Sequence, residues 1–126
     1  MARILVMDDE QQIRGMLRRA LEEQGHEVLE ASDGTEGVRC YRTTPVDLVI
    51  TDILMPYKEG LECIRELRKI DPEVLIIAIS GGSASLNMDA LRVARHFGAL
   101  RTFRKPFDLD EMLKAVRAAL DHRSAA

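Results

Sequence analysis

Short apolar runs alternate with segments of helical period along this chain. Ile4-Leu5-Val6-Met7 is a compact apolar run that ends in Asp8-Asp9. Ile13, Leu17, Ala20 and Leu21 then recur at helical spacing, and Gly25 supplies a stop. His26 to Ala31 reads as a second strand, and Ser32-Asp33 as a cap before a helix over Thr35 to Arg42. Pro45 closes that helix. Val46 to Thr51 is strand-like and delivers Asp52. A loop with Pro56 and Gly60 leads to a helix through about Ile70, broken by Asp71-Pro72. Val74 to Ile79 is the most apolar run and predicts a central buried strand ending at Ser80. Gly81 to Ser85 is a polar loop, and Asn87 to Phe97 a helix stopped by Gly98. Leu100 to Arg104 predicts a fifth strand, ending at Lys105-Pro106. Asp108 caps a last helix with Leu109, Met112, Leu113, Val116 and Leu120 on one face. The Ser-Ala-Ala end, within about 122–126, predicts a frayed tail.

The reading is therefore (βα) five times. Near-continuous apolar strands separated by helices imply a doubly wound α/β domain, its five-stranded parallel sheet covered on both faces. In such a sheet every strand ends on the same edge. Asp8-Asp9-Glu10, Asp52, Ser80 and Lys105 all fall there. Ligands bind outside that carboxyl edge, where the strand order reverses. In the flavodoxin-like order 2-1-3-4-5, adopted from known folds rather than read from this chain, the reversal lies between strands one and three. Those are the strands that carry the acids.

Size and composition narrow the picture. A chain of 126 residues suits one domain over 1–126. With 46% hydrophobic and 31% charged residues, it has a core to bury and a polar surface. A net charge of −3 argues against direct nucleic-acid binding. No apolar run approaches the roughly 20 residues that span a bilayer, and Met1 to Ile4 lacks the layout of a signal peptide. No membrane association and a cytoplasmic location are the expectations. Cys40 and Cys63 form no paired motif and read as reduced structural thiols. His26, His96 and His122 have no acidic or cysteine neighbours in sequence and read as structural or surface residues.

Crowded carboxylates repel one another and need a cation or raised pKa values. All-oxygen donors without His or Cys favour a hard ion, Mg²⁺ before Zn²⁺. A carboxylate is also a competent nucleophile toward a phosphoryl group. That transfer needs in-line positioning and neutralised charge on the equatorial oxygens. Lys105 and a metal ion supply the charge, and the Ser80 hydroxyl can donate to a phosphoryl oxygen. Taken singly, Asp8-Asp9 and Asp52 read equally well as helix caps, and Ser80-Gly81-Gly82 as a plain turn. No Gly-x-x-x-x-Gly-Lys run is present, which excludes a P-loop.

Asp8-Asp9, Asp52 to Pro56 with Gly60, Ser80-Gly81 and Lys105-Pro106-Phe107 fall in order, each after its expected strand. In this the sequence resembles the response-regulator receiver domains of two-component signalling, over nearly the whole chain. The resemblance implies that Asp52 is the phosphoacceptor. It implies Mg²⁺ ligation by the Asp9 and Asp52 side chains and the Leu54 carbonyl, with Asp8 acting through a water. Ser80 would be the switch hydroxyl, Lys105 the phosphate-pairing cation, and Lys105-Pro106 a cis bond. Phosphodonors would be a histidine kinase, a phosphotransfer protein or a small acyl phosphate. Arg14, Arg18 and Arg19 on the first helix are either a solvated face or part of a kinase-docking surface. Arg92, Arg95, Arg101 and Arg104 lie where related proteins make output or dimer contacts, so homodimerisation stays open.

Two positions depart from the pattern or modify it. Receivers often carry an aromatic residue three before the lysine, whereas Thr102 stands there and Phe103 points the other way by strand alternation. Leu54 is apolar and cannot orient a hydrolytic water, which predicts slow self-dephosphorylation. The expected role is a signalling module whose only catalysis is its own phosphorylation and dephosphorylation. No output domain follows the last helix, so the expected readout is protein–protein contact with a downstream protein that the sequence does not name. Two alternatives share parts of the site. A metal-dependent phosphohydrolase would form the same aspartyl phosphate, but the adjacent Asp8-Asp9 and the lack of room for a cap domain disfavour it. A pseudo-receiver would have lost the acceptor, the acid pair or the lysine, and all are present.

Overall fold

The computed structural model describes residues 2–53, 60–81 and 92–125. The strands are β1 (Arg3–Met7), β2 (Glu27–Ala31), β3 (Leu48–Asp52), β4 (Ile76–Ser80) and β5 (Arg101–Arg104). The helices are α1 (Gln11–Glu23), α2 (Gly34–Thr43), α3 (Gly60–Ile70), α4, of which 92–96 are described, and α5 (Leu109–Ala125). All four strand pairings are parallel, in the order β2-β1-β3-β4-β5.

Side-chain alternation divides the core in two. Leu5, Met7, Val49, Ile76 and Ala78 face one way and pack with Val38, Ile64 and Leu67 of α2 and α3. Ile4, Val6, Leu48, Ile50, Ile77 and Ile79 face the other way and pack with Leu17, Leu21, Met112 and Val116 of α1 and α5. Every residue of β3 and β4 is buried, which is why those segments read as continuous apolar runs rather than as alternating ones. The edge strands β2 and β5 carry exposed charges at Glu27, Arg101 and Arg104, which disfavours edge-to-edge pairing.

The turn residues place the strand ends. Gly25 (φ 91°) ends α1, and the N–H groups of Gly25 and His26 return to the carbonyls of Glu22 and Leu21. Asp33 caps α2 by accepting from the Glu36 N–H at 2.8 Å, as the sequence predicts. Asp108 does the same for α5, accepting from Asp110 and Glu111. Gly98 (φ 97°) follows α4, and Arg68 of α3 donates to the Phe97 and Gly98 carbonyls there.

Two boundaries differ from expectation. β4 begins at Ile76 rather than Val74, because the Asp71 turn claims the intervening N–H groups. The Glu73 N–H bonds the Asp71 side chain and the Val74 N–H bonds the Asp71 carbonyl. α5 continues to Ala125, through the segment for which fraying is expected. The predicted loop and helix start over 82–91, with Pro56 and Leu54, lie outside the described residues.

Candidate phosphoryl and metal site

β1, β3 and β4 stop at one edge of the sheet and hold three polar side chains out of solvent. Asp8 follows β1 and is 1% exposed, Asp52 ends β3 at 3%, and Ser80 ends β4 at 0%. Lys105 follows β5, tied by its N–H to the Ser80 carbonyl at 2.8 Å, and its bond to Pro106 is cis. Its stem passes over Gly81, where a Cβ would lie 2.9 Å from Lys105 Cδ. Glycine at 81 thus leaves the lysine room to reach across the edge.

Lys105 Nζ reaches three carboxylates at once. It lies 2.9 Å from Asp52 Oδ2, 2.6 Å from Glu10 Oε1, and 3.2 and 3.0 Å from Asp8 Oδ1 and Oδ2. Burial opposes the ammonium charge, but the hydrogen bonds to Glu10, Asp52 and Asp8 outweigh it and raise the Lys105 pKa. The lysine is therefore a fixed cation throughout the physiological range.

Asp8 is under opposite pressure. Burial pushes its carboxyl up to about 6, against the partial relief of the Glu10 N–H and Lys105. Its Oδ1 accepts the Glu10 N–H at 2.8 Å. Its Oδ2 is within ion-pair reach of the lysine but off the angle of a hydrogen bond, so this buried atom has no hydrogen-bond partner among the described residues. A buried acceptor without a donor is costly, and a divalent cation would satisfy it. Carboxylate oxygens of Asp8, Glu10 and Asp52 all lie within 4.8 Å of one another. An all-oxygen set at that spacing, with one oxygen unsatisfied, fits a hard cation such as Mg²⁺.

Four of the expected residues thus gather on one edge: Asp8, Asp52, Ser80 and Lys105. Asp9 is exposed and stands apart from the three-carboxylate group, and Leu54 lies outside the described residues. Glu10, to which sequence reasoning assigned no role, joins Asp8 and Asp52 at Lys105.

The remaining sequence candidates are accounted for locally. Arg14 bonds the Asp8 carbonyl at 2.7 Å and Glu30, and Arg18 bonds Glu30 and Glu22. His26 accepts the Ala2 N–H at 3.2 Å, and burial lowers its pKa. Cys40 and Cys63 are reduced thiols, the latter buried against Met7. Thr102 pairs with Ala78 on the α2–α3 face, whereas Phe103 packs on the α1–α5 face, 6.2 Å from Phe107. The expected opposition of these two side chains holds. No described helix is long and apolar enough to cross a membrane.

A doubly wound sheet whose carboxyl edge gathers buried acids, a hydroxyl and a lysine defines a class of phosphoryl-handling signalling domain. The chain belongs to the response regulator receiver domain family, whose model matches residues 4–117. It is 36% identical over 121 residues to chemotaxis protein CheY of Bacillus subtilis, covering 94% of this chain and 98% of that protein. It is 38% identical over 120 residues to the DNA-binding transcriptional regulator NtrC of Azospirillum brasilense, spanning 95% of this chain but 24% of the relative. Among solved structures, response regulator protein TrrA from Thermotoga maritima, in complex with Mg²⁺-BeF, superposes with a TM-score of 0.81. That match has 35% identity and covers 95% of this chain and 100% of that one.

Proposed function

We propose that this domain accepts a phosphoryl group on Asp52 and signals through the contacts that the modified edge makes with a partner protein. The observation that carries the reading is the meeting of Asp52, Asp8 and Lys105 within hydrogen-bond reach at the ends of three different strands. An Asp52 oxygen attacks phosphorus, forming the acyl phosphate while the donor's bond to phosphorus breaks. Lys105 is already 2.9 Å from the acceptor and pairs with the charge that arrives. Ser80, at the end of the adjacent strand, donates its hydroxyl to a phosphoryl oxygen. Asp8 and Asp52, whose oxygens already meet at this edge, would hold Mg²⁺. The resemblance adds the Leu54 carbonyl and Asp9, whose exposed side chain would have to turn inward to join them. When bound, that ion neutralises the phosphoryl oxygens.

The donor is a histidine kinase, a phosphotransfer protein or a small acyl phosphate, since neither His26 nor His96 sits in the site. A groove of about 520 Å³ along α1, lined by Met16 and Arg19 among others and reaching Leu109, offers a contact surface for such a partner. With Thr102 in place of an aromatic switch residue, output passes through the Ser80 loop and α4 rather than through a rotating ring. The domain belongs to the cytoplasm, and its catalysis is confined to itself.

Incubation with acetyl phosphate and Mg²⁺, followed by intact-mass measurement, tests this. One addition of about 80 Da, absent in Asp52→Asn, is expected. Multiple turnovers of an added phosphate ester would favour a phosphohydrolase, and no addition would favour a pseudo-receiver.

A further inference from the structure

Glu10 is 56% exposed at its side chain, yet it makes the shortest contact to Lys105, at 2.6 Å. It is the N-cap residue of α1 but gives that helix no side-chain cap. Its carboxylate therefore makes no hydrogen bond to α1 that an amide would lose, and acts on that helix only through the dipole at its N-terminus.

Resting on the reading of Asp52 as phosphoacceptor, we propose that Glu10 is a positioning residue that competes with the incoming phosphoryl group for the Lys105 ammonium and so slows the loading of Asp52. A lysine ammonium has three N–H donors. Asp8, Asp52 and Glu10 together engage all three. A phosphoryl oxygen can gain this cation only if one carboxylate gives way. Asp8 and Asp52 are buried, at 1% and 4% side-chain exposure, and cannot turn out into water. Glu10 can, because it stands on the solvent side of the lysine. The phosphoryl group must arrive from that same side, since the sheet fills the other. Glu10 therefore stands in its approach as a negative charge and as the partner to be displaced. Both effects have one sign: they oppose a dianionic donor.

Glu10→Gln keeps the shape and leaves a weaker, neutral acceptor. The reaction is the transfer in which the Asp52 Oδ–P bond forms, the phosphorus–oxygen bond to acetate breaks, and acetate departs as the carboxylate. At saturating Mg²⁺ and limiting acetyl phosphate, the variant is expected to load about two- to tenfold faster than wild type. The gain is expected to shrink with added salt and with phosphoramidate, which carries less negative charge. A readout independent of loading is the Lys105 ammonium resonance in metal-free protein, seen by ¹⁵N-ζ correlation. Wild type is expected to show slow proton exchange with water and Glu10→Gln faster exchange. Equal or slower loading by the variant overturns the proposal. So does a gain independent of donor charge, or an unchanged lysine exchange rate. Failure of wild type to load Asp52 at all overturns instead the phosphoacceptor reading on which the proposal rests.

Discussion

Replacing Asp8 by asparagine should make the metal-free domain more stable while impairing its metal site. Asp8 is 1% exposed and its carboxyl is pushed from 3.8 up to about 6, chiefly by burial. A shift of about two units corresponds to ~3 kcal/mol between the protonation states. The sign follows from linkage. A raised folded-state pKa means that the folded protein holds this proton more tightly than the unfolded chain does. The stability associated with that proton is fully present below about 3.8 and is lost as pH rises to about 6. Above 6 the buried carboxylate stays ionised and the fold carries the full cost. Asparagine removes the charge. Its side-chain oxygen can still accept the Glu10 N–H, and Lys105 keeps Asp52 and Glu10. The ~3 kcal/mol is already net of the Lys105 attraction, but asparagine mimics the protonated acid imperfectly because its amide can turn N–H groups toward the lysine, so a gain of about 1–2 kcal/mol at pH 7 is expected. Urea unfolding followed by circular dichroism, in EDTA and at several pH values from 4 to 8, measures it. The advantage of Asp8→Asn should be largest above pH 6 and fade toward pH 4. In Mg²⁺ it should shrink, because the wild-type carboxylate then gains a cation. A variant less stable than wild type at pH 7 in EDTA, or a difference that ignores pH, would refute the reasoning.

Other consequences are accessible to the same unfolding assay or to simple kinetics. Asp33→Ala removes the acceptor for the Glu36 N–H and should cost about 1 kcal/mol. Gly98→Ala places a Cβ at φ 97° and 2.5 Å from the Arg68 guanidinium. It should cost more than ~1 kcal/mol, and an unchanged urea midpoint would argue against the left-handed turn after α4. Leu67→Ala empties a fully buried position under the sheet and should cost about 2–5 kcal/mol. Gly81→Val crowds the Lys105 stem, so loading of Asp52 by acetyl phosphate should slow with little change in stability.

The fold was legible because each buried strand announces itself. Ile4 to Met7, Leu48 to Ile50 and Ile76 to Ile79 are covered on both faces, and no polar residue interrupts them. Asp33 and Asp108 were legible as caps for the same local reason: a short acceptor side chain beside orphan N–H groups. The start of β4 was not, because the Asp71 turn uses its own side chain and carbonyl to hold Glu73 and Val74. Apolar character alone cannot see that competition. At the site, Asp8, Asp52 and Lys105 were found by their strand-end positions. Glu10 was missed because its role depends on how far the Lys105 side chain extends over Gly81. That is a long-range distance, and no spacing along the chain encodes it.

The convergence at the sheet edge is tested most directly by a crystal structure with Mg²⁺ and beryllium fluoride, the fluoride standing in for a phosphoryl group. The account predicts beryllium bonded to an Asp52 oxygen, with Lys105 Nζ and Ser80 Oγ within hydrogen-bond distance of its fluorines and Glu10 released from the lysine. An Asp52 left unmodified at saturating fluoride, with Lys105 still between Asp8 and Glu10, would contradict it.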